Sequence, residues 1–112
     1  PPHSYSSAAS DVYKRQMAKG YLVANIRVQD EEKMKQFSGM AVPVIEAFGG
    51  KVLARGPGAK RMEGGQIGVV MMIEFDSLAT AEKFYNSDDY QVAKAFREEF
   101  ADTDLMLIEG AE

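Results

Sequence analysis

The stretch Ile67 to Phe75, IGVVMMIEF, is apolar on both faces that a strand would present. Ile67, Val69, Met71, Ile73 and Phe75 point one way and Val70 and Met72 the other, until Glu74 interrupts the second set. A strand apolar on both faces lies centrally in a sheet and is covered twice. In a chain of 112 residues, the chain's own helices supply one cover and a second subunit most cheaply supplies the other. The pattern therefore predicts a homo-oligomer before any motif is considered.

A chain of this length forms one domain, and a composition of 46% hydrophobic and 27% charged residues is that of a globular protein. The formal net charge is -4 and the lysines and arginines form no cluster, so the electrostatic footprint of a nucleic-acid binder is missing. Neither nucleic acid nor a membrane is an expected partner. With no cysteine there is no disulfide framework, no thiolate nucleophile and no cysteine-based metal site, and a cytoplasmic location is expected.

Residues 1–16, PPHSYSSAASDVYKRQ, have no apolar core of a signal peptide and no hydrophobic period. They read as a leader outside the fold, and SAASDVYKRQ resembles translated adapter read-through at the ends of metagenomic genes. Met17 follows as the natural first residue. The domain is accordingly expected over residues 17–112. Because the single histidine, His3, falls in the leader, the domain proper has neither histidine nor cysteine.

Gly20 to Gln29 alternates as a first strand, with Leu22, Ala24, Ile26 and Val28 opposed to a mixed set of Tyr21, Val23, Asn25 and Arg27. Asp30 then caps a helix whose apolar stripe is Met34, Phe37, Ala41, Val44 and Phe48, ending at Gly49-Gly50. Pro43 predicts a break or kink near Gly39 to Val42. Lys51 to Gly56 is a short second strand, joined to Ile67–Phe75 by the glycine-rich loop GPGAKRMEGGQ. Ser77 and Ser87 each begin a helical piece, and Asp104 to Gly110 closes the chain as a fourth strand. The order βαββαβ is the α+β ferredoxin-like pattern: an antiparallel four-stranded sheet of order 4-1-3-2 with helices on one face.

Three blocks carry a family resemblance: GYLVANIRVQD, FGGKVLARG, and IEFDS followed by AEKFYNSDDYQVAKAFR. Together they resemble the domain-of-unknown-function family numbered thirteen-thirty, over the whole chain after the leader. The resemblance implies the dimeric α+β barrel superfamily, in which two ferredoxin-like subunits pair their sheets. It implies no reaction, because that superfamily includes cofactor-free monooxygenases, polyketide cyclases, stress-responsive barrel proteins and haem enzymes.

Haem ligation and histidine-dependent cyclase chemistry both need a side chain that the domain lacks. Asp88-Asp89 and Glu98-Glu99 are neighbours pointing different ways around a helix, better read as solvated surface than as metal ligands. No metal or cofactor is expected. The glycine loop ends in neither the Lys-Ser/Thr of a P-loop nor a helix, so it reads as a hairpin loop, although Lys60 and Arg61 could attract an anion at its rim. Asn25, Arg55 and Glu74 are polar residues in runs that the sheet should bury, and buried polar groups need partners. One reading is a hydrogen-bond network that fixes the dimer register. The other places Asn25, Arg55, Tyr85, Tyr90 and Arg97 around a cleft between sheet and helices, suited to a small carboxylate or phenolic ligand. An alternative function is a cofactor-free isomerase, cyclase or monooxygenase-like enzyme for a small carbonyl or phenolic compound. There a desolvated Glu74, a tyrosine or a shifted lysine would be the base, Arg55 would hold an oxyanion, and Tyr85 or Tyr90 would relay a proton beside a buried Glu74.

Overall fold

A computed structural model describes residues 18–111. The expected leader, with His3, lies outside the described residues. The elements run β1 (Gly20–Val28), α1 (Glu31–Ala47), β2 (Lys51–Gly56), β3 (Val69–Phe75), α2 (Leu78–Asn86), α3 (Asp88–Glu98) and β4 (Ala101–Glu109). The strands form one sheet of order β2-β3-β1-β4, every neighbouring pair antiparallel. This is the expected ferredoxin-like arrangement, with its second helix divided in two.

The helices cover one sheet face. Leu22, Ala24, Ile26, Ile73 and Phe75 are buried there against Phe37, Ala41, Val44 and Ile45 of α1 and Ala81, Phe84, Tyr90 and Ala93 of α2 and α3. Strand parity sends Tyr21, Val23, Asn25 and Arg27 of β1, Val70, Met72 and Glu74 of β3, and Asp104, Met106 and Ile108 of β4 to the opposite face. Met72, Val23 and Met106 stand side by side across three strands. Met106 and Ile108 are 58% and 54% exposed, so among the described residues this face has an apolar centre and no cover.

Several boundaries differ from the pattern. β3 begins at Val69 rather than Ile67, because Gly68 adopts φ 132° and the Ile67 carbonyl accepts a hydrogen bond from Asn25 Nδ2 at 2.7 Å instead of joining the ladder. A Cβ at position 68 would lie 2.6 Å from the Ile26 carbonyl oxygen, so the bend needs glycine twice over. β4 begins three residues before Asp104, since Ala101 and Asp102 already pair with Val28 and Arg27. α1 runs unbroken through Pro43, contrary to a break at Gly39–Val42. Pro43 and Gly39 are both exposed, so the carbonyl freed by the missing N–H can be hydrated, and Gly39 carries no side chain to crowd the ring.

Both serine caps form. The Ser77 hydroxyl accepts from the Thr80 amide, and the Ser87 hydroxyl accepts from the Tyr90 amide while donating to the Phe84 carbonyl at 2.7 Å. Ser87 thus ends α2 and starts α3 with one side chain, and Gln91 Nε2 donates to the Tyr85 carbonyl across the joint. Loss of an N-cap costs about 1 kcal/mol. Ser87→Ala is therefore expected to lower the melting temperature by about 4 °C or more in circular dichroism, and an unchanged temperature would show that the joint is held by packing alone.

Candidate functional site

Between the helix-covered sheet face and α1 lies a cavity of about 40 Å³, room for about three water-sized groups. Its walls are apolar, from Ala24, Ile26, Phe37, Ala41, Ile73 and Phe84 among others. Three of the polar candidates reach it: Arg55, Tyr90 and Arg97. A β-bulge between Val52 and Ala54 puts Arg55 opposite Met71, on the helix side of β2. Its side chain is nevertheless exposed, because edge strand β2 extends beyond the helices. Arg55 stands at the cavity mouth and is not buried in the sheet as the pattern predicts.

Tyr90 and Arg97 lie two turns apart on α3 and both face inward. Arg97 is only 4% exposed. Its Nη1 donates to the Tyr90 hydroxyl oxygen at 2.6 Å, and its guanidinium carbon lies 5.5 Å from the Phe37 ring centroid and 6.0 Å from that of Tyr90. All of these partners are neutral. Among the described residues no carboxylate pairs with Arg97, and its buried Nε has no hydrogen-bond partner. Burial pushes the Tyr90 phenol above its usual pKa, the neighbouring Arg97 charge opposing that shift without cancelling it. Tyr90 consequently stays protonated at neutral pH. Its oxygen accepts from Arg97, which leaves the O–H proton available to a ligand.

Tyr85 is half-buried, its ring 5.4 Å from that of Tyr90. It lines a second, polar opening between α3 and β4, shared with Lys94, Glu98, Asp102 and Thr103. Arg97 and Leu105 belong to both the opening and the cavity, so Arg97 forms the wall between them. Thr103 precedes the strand start that the pattern predicts, so its alternation with Leu105 and Leu107 does not flag it. Its Oγ1 is buried and, among the described residues, unpartnered.

Asn25 and Glu74 do not join this cleft, which corrects the grouping expected above. Both lie on the opposite sheet face, by the parity of β1 and β3. Asn25 Oδ1 accepts from Arg61 at 2.7 Å, and Arg61 also reaches the Gly68 carbonyl at 3.2 Å, so the pair clasps the β2–β3 loop to the sheet. Arg61 is thereby occupied as a structural donor. Glu74 Oε2 accepts from the Tyr21 hydroxyl at 3.1 Å, a bond that raises the Tyr21 pKa. With the sheet between Glu74 and the cavity, the proposed base stands apart from Arg55 and Tyr90, and the catalytic grouping does not assemble. Among the described residues no three acidic or histidine side chains converge as a metal site, and no helix is long and apolar enough to cross a membrane.

Solved structures share this fold. A protein of unknown function from Rhodopseudomonas palustris matches with a TM-score of 0.70 at 18% identity, covering 97% of this chain and 95% of that one. A dimeric ferredoxin-like protein of unknown function from Bacteroides fragilis matches with a TM-score of 0.56 at 15% identity, over 81% of this chain and 95% of that one. SnoaB, a cofactor-independent oxygenase from Streptomyces nogalater, matches with a TM-score of 0.62 at 6% identity, over 85% and 95%. At such identities the likeness is one of fold. No curated protein matches the sequence. A family model does, over residues 19–111, and on that match the chain belongs to the family described as Domain of unknown function (DUF1330).

Proposed function

We propose that the protein is a homodimer that binds a small anionic molecule between its sheet and its helices, with residues 17–112 as the working unit. The observation that carries the ligand half is Arg97: a guanidinium 4% exposed, at the wall of an apolar cavity, with neutral partners only among the described residues. An isolated buried charge costs several kcal/mol, and cation–π contacts return only about 0.5–2 kcal/mol. An arriving anion supplies the missing counter-charge, and the fork of a guanidinium suits a carboxylate. Tyr90 adds a neutral donor, and Arg55 at the mouth adds attraction for the incoming charge.

The dimer half rests on the uncovered sheet face. Its apolar centre of Val23, Met72 and Met106 is flanked by mixed rows, Glu74, Tyr21 and Ile108 on one side and Val70, Asn25 and Asp104 on the other. An apolar core within a polar rim is the anatomy of a protein interface, and a second copy of the same face satisfies it with two-fold symmetry. The dimeric Bacteroides fragilis relative supports this reading. The lack of cysteine fits a reducing, cytoplasmic setting.

Native mass spectrometry of freshly purified protein tests both halves. Two chains per particle, carrying a small acid that leaves on mild activation, is the expected spectrum. A monomer at micromolar concentration would remove the dimer, and a bare dimer that takes up no added carboxylate would remove the ligand.

A further inference from the structure

The cavity under α1 runs across the strands, and the register fixes its floor. Arg55 on β2 stands opposite Met71 on β3, Met71 opposite Ala24 on β1, and Ala24 opposite Leu105 on β4, and all four line the cavity. Three strand spacings make this row about 14 Å long between its outer backbones. Midway, Ala24 in the floor and Ala41 in the roof carry only methyl groups, which leaves the space between them. Leu105 and Arg97 close the inner end, where the polar opening begins. Arg55 holds the outer end, exposed and, among the described residues, in no ion pair.

Among the described residues no acid lines this cavity, and its two charged residues are both arginines, one at each end. A cleft of one sign concentrates ligands of the other, and two positive ends around an apolar middle complement a ligand with two negative ends. At the inner end the Tyr90 hydroxyl is the donor. Its oxygen accepts from Arg97 Nη1 at 2.6 Å, which polarises the O–H toward an incoming carboxylate. The enclosed space, about 40 Å³, takes that carboxylate and about two methylene groups. A second carboxylate then emerges at the mouth, where the long, exposed Arg55 side chain is free to turn and meet it. Resting on the anion reading above, we infer that the ligand is a short aliphatic dicarboxylate of about four or five carbons lying across the strands. Its inner carboxylate accepts from Tyr90, its methylenes lie over Ala24 and Met71, and its outer carboxylate pairs with Arg55.

The test is calorimetric titration of the full chain with glutarate and with butyrate, at neutral pH and constant ionic strength. Glutarate should bind about fivefold more tightly than butyrate, the worth of one good exposed ion pair. Arg55→Gln, at an exposed edge-strand position, should remove that advantage and change butyrate by less than about twofold. Arg97→Met should weaken both at least about tenfold. Saturable NMR shifts of the Ala24 and Met71 methyl groups should accompany binding to the parent, and affinity among the diacids should peak at succinate or glutarate and fall at suberate. Glutarate binding no tighter than butyrate or benzoate, or glutarate and butyrate weakened alike by Arg55→Gln, would overturn the second anchor while leaving the anion reading intact. Suberate binding as tightly as glutarate, or glutarate retained by Arg97→Met while butyrate is lost, would take the diacid out of the cavity and overturn the assignment as well. If none of glutarate, butyrate and benzoate binds the parent protein, the anion reading itself fails.

Discussion

Replacing Phe84 by alanine is expected to lower the melting temperature by roughly 15 °C. Phe84 is fully buried, and three rings meet it: Tyr90 at 4.6 Å between centroids, Phe75 at 5.0 Å and Phe48 at 6.0 Å. Through these contacts it ties α2 to β3, to the end of α1 and to α3. Truncating a core phenylalanine costs about 3–5 kcal/mol, the lost transfer energy and the cavity together. Against a total of about 5–15 kcal/mol for a domain, that is a large share. The same change frees the Tyr90 ring, so the hydrogen bond to Arg97 should weaken as well. Calorimetry of the variant checks this, and a fall of less than about 5 °C would mean that the aromatic cluster is not the centre of the core.

The fold was legible because each level of the sequence pointed the same way. The period of two in Leu22, Ala24 and Ile26, the spacing of Phe37, Ala41 and Val44, and the caps at Asp30, Ser77 and Ser87 all recur in the structure. The site was less legible, for a reason visible at single residues. Asn25 belongs to the mixed set of β1 and Glu74 to the set with Val70 and Met72, and strand parity alone assigns both to the face away from the helices. Chemical suitability had grouped them with Arg55. Arg55 itself reaches the helix side only through the bulge at Leu53, which no alternation reveals. Tyr90 and Arg97 were legible from helical spacing, being seven residues apart on α3. What spacing does not disclose is that, among the described residues, Arg97 has no acidic partner, since that depends on where each carboxylate comes to rest.

On the proposed reading, the buried charge of Arg97 is a cost carried for binding, and that makes Arg97 separable from the residues that merely pack. Phe84 stabilises the protein whether or not a ligand is present. On that reading, Arg97 destabilises it until an anion arrives, in the way that functional sites commonly oppose stability. The two substitutions should therefore move the melting temperature in opposite directions.

Arg97→Met is the most direct test. Methionine keeps most of the side-chain volume and fills irregular apolar space. The change gives up the cation–π contacts, worth about 0.5–2 kcal/mol, and the charge-assisted hydrogen bond to Tyr90, worth about 1.5–3 kcal/mol. It also relieves a buried, uncompensated charge, worth several kcal/mol, and that term is the larger. The measurement is the melting temperature of parent and variant, each with and without a carboxylate at about a hundred times its dissociation constant, where binding contributes about 2.7 kcal/mol. The account predicts that Arg97→Met melts higher than the ligand-free parent by about 4 °C or more, and that the carboxylate raises the parent but not the variant. An Arg97→Met protein that melts several degrees lower than the parent, or one that still responds to the carboxylate, would contradict it.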